Sequence, residues 1–155
     1  MPTTAVLPMS VLYEMDETAW LDATAELLRD GRLDQVDTHT LAEYLTDMAK
    51  RDRREVESRL IVLIAHVLKW VHQPDHRSRS WRATIIEQRQ ELEGLMGRGV
   101  LRNHAEAVLA EVYLKAVERA EAETGLPDEV FSDVCPHTLE QLLSPDLLAP
   151  GGEDT

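Results

Sequence analysis

The stretch LIVLIAHVLKW, Leu60 to Trp70, decides the fold. Its apolar side chains fall on nearly every face of a helical wheel. A helix of this kind must be covered on all sides, and it forms the central, most buried element of a helical domain. The stretch is far short of the roughly 18 apolar residues that a membrane span needs.

The helical pattern extends in both directions from this core. Upstream it reaches Thr40, where Thr40 and Glu43 have the spacing of a capping box. Downstream it ends at His72, before Pro74. At about 1.5 Å per residue, such a helix is on the order of 50 Å long. Within it AKRDRRE, residues 49–55, carries no large apolar side chain, and there the helix can kink or divide in two.

One helix precedes it, Thr18 to Asp30. Trp20, Ala23 and Leu27 lie on one face with Leu28 at its edge, and Gly31 is placed to stop it in a left-handed cap. Two long helices follow. The first runs from Ser80 to Met96, with Trp81, Ile85, Leu92 and Leu95 on its buried stripe. The second runs from Leu101 to Glu123, with Ala105, Val108, Leu109, Val112, Ala116 and Ala120 inside. Asn103 and Glu106 offer that helix an alternative capped start, and Gly125 and Pro127 stop it.

A short last helix has a capping box at Thr138 and Gln141 and an apolar latch of Leu139, Leu142 and Leu143. Strand-like alternation is nearly absent, and aromatics are only 5%. The sequence therefore specifies an all-α, single-domain helical bundle over residues 1–148. It has one long central helix and a short C-terminal helix, with a flexible tail at 149–155.

Charge narrows the partners. The 155-residue chain has a formal net charge of −13. Residues 1–49 hold 2 basic and 10 acidic groups, residues 50–89 hold 10 and 5, and residues 90–155 hold 4 and 14. Such a balance repels nucleic acid and anionic membrane and suits a basic protein partner. The basic middle can also be neutralised by the chain's own acidic flanks. One cysteine, Cys135, excludes an intrachain disulfide, and the N-terminal residues make a poor signal peptide, so the expected location is the cytoplasm.

Three groups of residues could carry chemistry. Arg77, Arg79, Arg82 and Arg89 lie in HQPDHRSRSWRATIIEQR, residues 72–89; they could hold nucleic acid, but they also suit ion pairs with internal carboxylates. His66 and Lys69 interrupt the apolar helix. With nearby carboxylates they could serve a small-ligand-binding or enzymatic bundle, or His66 could be a core histidine bonded to a carboxylate or backbone group.

His72 and His76 are four apart, but Pro74 breaks the same-face geometry of a metal pair. No histidine has glutamate three residues before it, which disfavours the two-metal carboxylate bundles. Neither a phosphate loop, a nucleophile elbow nor zinc-finger spacing is present, and Cys135 has no supporting feature as a nucleophile. No catalytic residue, metal or cofactor is therefore assigned. The first reading is a protein-interaction module, one version of which neutralises a basic partner. The apolar latch leaves a homodimer open.

The order of landmarks resembles the bacterial family called domain of unknown function 29. The residues that carry the resemblance are YEMDETAWL, LLRDGRLDQVD, LAEYL, ESRLIVLIAHVLKW, QPDHRSRSWRATIIEQR, ETGLP and CPHTLEQLL, spread from Tyr13 to about Leu148. The resemblance implies an all-helical domain of about this size, standing alone. It implies no established activity and no catalytic residues. The chain departs from the family pattern at Tyr44, where an acidic residue is usual, at GRGVL, where a Pro-Ser-Leu turn is usual, and at Ser132, where proline is usual.

Overall fold

A computed structural model describes residues 8–97 and 99–148. The tail expected at 149–155 lies outside them. Among the described residues there are six α-helices and no strand: α1 (Met9–Met15), α2 (Glu17–Arg29), α3 (Thr38–His72), α4 (Arg79–Met96), α5 (Val100–Thr124) and α6 (Leu139–Leu143). Short 3-10 turns occupy Leu33–Gln35, Pro74–His76 and Asp128–Val130.

The chain divides into two compact units, Met1–Lys50 and Arg51–Thr155, and each is described by itself. The division falls inside α3, in the stretch that lacks large apolar side chains. The helix nevertheless continues without interruption. Its fully buried residues begin only at Val56, and in its first half Tyr44 packs against Trp20 of α2.

In the first unit, α1 packs on α2. The sequence reading missed α1. Pro8 immediately before it, a residue favoured at helix starts, was the available signal. Asp16 joins the two helices: its N–H bonds the Leu12 carbonyl at 2.8 Å, and its carboxylate caps α2 by accepting from the Ala19 N–H at 3.0 Å.

Trp20 is fully buried, with Tyr13 edge-on at 5.0 Å and Tyr44 tilted at 5.8 Å. Tyr44 thus places a second ring against Trp20. Gly31 ends α2 with φ +71, and the Arg32 N–H reaches back to the Leu27 carbonyl, the paired closure that a left-handed residue permits.

The expected capping box at Thr40 and Glu43 is not formed. Asp37 caps α3, accepting from the Thr40 N–H at 3.2 Å and from the Thr40 hydroxyl at 2.7 Å. An aspartate three residues ahead binds both groups of Thr40, and Glu43 is left to pair with the exposed His39 at 3.2 Å.

The second unit has one hydrophobic core. Leu60, Leu63, Ile64, Val67 and Leu68 of α3 meet Ile85, Leu92 and Met96 of α4, and Val112, Tyr113, Ala116 and Ala120 of α5. The C-terminal latch closes it, with Leu139, Leu142 and Leu143 all buried and the Thr138–Gln141 capping box formed in both directions. Here α6 packs on both α4 and α5.

The alternative start of α5 at Asn103 is not used. The helix begins at Val100, behind Gly99 in extended backbone, with no side-chain cap. Gly125, φ +74, closes the other end as expected.

Candidate functional site

The four arginines separate into two kinds. Arg77 and Arg89 bind backbone carbonyls at helix ends. Pro74 has no N–H, so the Trp70 carbonyl loses its normal partner four residues on. The Arg77 Nε–H donates to that carbonyl at 2.8 Å, and its guanidinium lies 4.9 Å from the centre of the Trp70 ring.

Arg89 Nη1 donates to the carbonyl of Ser144, the residue that caps the end of α6, at 3.4 Å. Both place a cation at a helix C-terminus, where the macrodipole favours it. Each bond satisfies a carbonyl left open by proline or by a helix end. Arg79 and Arg82 are exposed on the first turn of α4.

Arg59 pairs with carboxylates: it donates to Glu55 at 3.0 Å and lies 3.8 Å from Glu91. Glu55 precedes Arg59 by four residues, the favourable order for a helix pair.

His66 and Lys69 sit one turn apart, and each is bonded. The His66 Nδ1–H donates to the Val62 carbonyl at 2.8 Å, which fixes Nε2 as the acceptor in the neutral ring. Burial pushes the His66 pKa down, and the Val62 hydrogen bond opposes that shift. Lys69, only 7% exposed, donates to Glu123 at 2.7 Å and lies 4.9 Å from the Trp81 ring centre. Arg119 reaches the other oxygen of Glu123 at 3.2 Å. The Lys69 hydrogen bond is the largest cause that holds the Glu123 carboxyl below its usual range. His66, Lys69, Glu123 and Arg119 therefore form one charged cluster on α3 and α5, with Trp81 of α4 over the lysine.

A concavity lies elsewhere, and the sequence did not point to it. A cleft of about 870 Å³ opens between the end of α3, the turn at Pro74–His76, the segment 129–137 and the C-terminal residues Leu147 and Leu148. Its polar lining includes His72, Arg77, Glu129 and His137, and neither His66 nor Lys69 belongs to it. His72 stacks edge-on against Phe131 at 5.0 Å, and burial lowers the pKa of both His72 and His137. Tyr113 anchors the segment by donating to the Ser132 carbonyl at 2.5 Å.

A smaller cleft of about 460 Å³ adjoins Cys135. The Cys135 thiol donates to the His137 carbonyl at 3.2 Å, and burial pushes its pKa up, so it stays protonated and is a weak nucleophile. Among the described residues, no group of three or more His, Cys, Asp or Glu side chains is placed to hold a metal ion, and no helix is long and apolar enough to cross a membrane.

An all-helical chain with one long helix, a latched core and a landmark order of this kind defines a helical domain class without an assigned chemistry. Residues 12–148 match the family described as Domain of unknown function DUF29, and the chain belongs to it. No curated protein and no solved structure matches the chain.

Proposed function

We propose that this protein is an interaction module whose acidic first unit meets a basic surface of another protein. One observation carries the reading. Residues 1–50 hold 10 acidic and 3 basic side chains, and among the described ones Leu28, Leu33 and Leu45 stand 44%, 62% and 59% exposed. Exposed leucines set among carboxylates form one half of an interface that a basic amphipathic surface completes. By contrast, His66 and Lys69 of the second unit are each bonded within the fold.

The test is capture of partners from the native host at low salt, by the wild-type chain and by a Leu33→Glu/Leu45→Glu variant. Both positions are exposed, so the variant keeps its fold. The expected result is a stoichiometric basic protein that the wild type holds, that the variant loses, and that salt releases. A protein held equally by both chains, or no protein held by the wild type, overturns the reading.

A further inference from the structure

The smaller cleft lies between α5 and the segment that begins at Asp133. Its volume of about 460 Å³ is within the range of small-molecule sites. Leu109, Ala110 and Leu114 of α5, with Val134 and Leu139 beyond it, make the lining largely apolar. Leu114 and Val134 stand 61% and 73% exposed, so the apolar surface continues from the cleft onto its rim.

The polar groups of the lining select the charge of a ligand. Tyr113 and Cys135 already donate to the carbonyls of Ser132 and His137, and the Thr138 hydroxyl oxygen accepts from the Gln141 N–H. Burial pushes His137 toward its neutral form. The charged groups that remain are two carboxylates, Glu106 and Asp133. Both are exposed, and among the described residues neither is held in an ion pair. The sequence after Leu148 adds two more carboxylates and no basic side chain. An anion would therefore meet repulsion at this rim, whereas a cation on an apolar body gains from both the charge and the wall.

We propose that this cleft binds a small lipophilic cation, an amine with an aliphatic body, the body lying against Leu109, Leu114 and Val134 and the ammonium held in the field of Glu106 and Asp133.

The summed field of the two carboxylates attracts the ammonium, and no bond shared by both is required. The ammonium stays at the wet rim and keeps much of its hydration, as the head of a lysine does above a buried stem. Burial of the apolar body supplies most of the affinity. Exposed charge pairs contribute little, so the charge adds about fivefold at low salt.

The experiment uses the full chain at about pH 7, where an alkylamine is protonated. Octylammonium is the probe, with octan-1-ol and octanoate as its neutral and anionic counterparts. Binding is followed by the amide magnetic resonances of residues 106–114 and 133–139. The expected result is saturable one-to-one binding that shifts these resonances, with octylammonium about fivefold tighter than octan-1-ol and octanoate weaker than both. The advantage of the ammonium shrinks as salt rises from about 20 mM to about 200 mM. Glu106→Gln/Asp133→Asn, at two exposed positions, lowers octylammonium to the affinity of octan-1-ol and leaves octan-1-ol unchanged. Ala110→Phe, at an exposed position of α5, fills the cleft and weakens both.

Absence of saturable octylammonium binding at these residues overturns the proposal. Equal affinity for octan-1-ol and octylammonium at low salt also overturns it, by reducing the cleft to an apolar groove. Octylammonium binding that is unchanged in the double variant overturns it as well, since the attraction then comes from the net charge of the chain. None of these results touches the protein-partner reading, which rests on the other unit.

Discussion

Replacing Glu123 by alanine isolates the buried charge of Lys69. Lys69 is 7% exposed and bonds Glu123 at 2.7 Å, so the variant leaves an ammonium with little water and no carboxylate. Removing one partner of a fully buried pair costs about 3–5 kcal/mol. Two features reduce that figure here. The Glu123 side chain is 36% exposed, so water enters where it stood, and the Trp81 ring retains an attraction of about 0.5–1 kcal/mol for the ammonium. Arg119, the other partner of Glu123, is half-exposed and is solvated when the carboxylate goes. The expected loss is about 2 kcal/mol, which for a chain of this size lowers the melting temperature by roughly 4–8 °C.

Far-ultraviolet circular dichroism at neutral pH measures it. Glu123 has a depressed pKa, so its contribution is fully present above about pH 4.5 and is lost as pH falls through its lower folded value. The gap between wild type and variant is therefore constant near neutrality and closes in acid. A Lys69→Met/Glu123→Leu double variant recovers most of the loss, since it removes both charges and keeps the volume. Melting of Glu123→Ala within about 1 °C of wild type, where a cost of 2 kcal/mol requires several degrees, would refute the argument. Lys69 would then reach water unaided.

Arg89→Ala frees the Ser144 carbonyl and loosens the C-terminal latch at a cost of about 1 kcal/mol, whereas Arg79→Ala, at an exposed position, changes stability by less than about 0.5 kcal/mol; paired thermal melts separate the two. Gly125→Ala puts a Cβ into open space but at φ +74, so it destabilises by about 1 kcal/mol through backbone conformation alone, and urea unfolding reads that loss as a lower midpoint with an unchanged slope. His66, His72 and His137 all titrate below 6.5 in the folded chain, by histidine-resolved magnetic resonance. Because the unfolded chain takes up those protons first, stability is greatest above about pH 6.5 and declines as pH falls toward the folded values.

Most of the fold was legible because it rests on local patterns. The apolar wheel of residues 60–70, the stops at Gly31, Pro74 and Gly125, and the Thr138–Gln141 box each act within a turn or two of chain, and each occurs as read. The errors arose where two local signals competed. Asp37 outbid Thr40 as the cap of α3 because an aspartate accepts from both the N–H and the hydroxyl of the same threonine. The bare stretch at 49–55 was read as the place where the long helix could kink or divide. It is the boundary between compact units, and the helix runs through it, because an absence of apolar side chains removes packing and not helical propensity.

The cleft at the end of α3 was not legible, for a physical reason. His72 and His137 are 65 residues apart in sequence, and they share a cleft only because the chain after α5 folds back beside the end of α3. Sequence periodicity reports which face of a helix is apolar; it does not report what returns from a distance to face that helix end. The same limit applies to Arg77. Sequence marked it as a cation suited to a carboxylate, and did not show that Pro74 offers it an acceptor by leaving the Trp70 carbonyl without its N–H. A proline that ends a helix therefore does two things in this chain. It stops α3, and it leaves the Trp70 carbonyl for Arg77 to bind beside the cleft that the helix end lines.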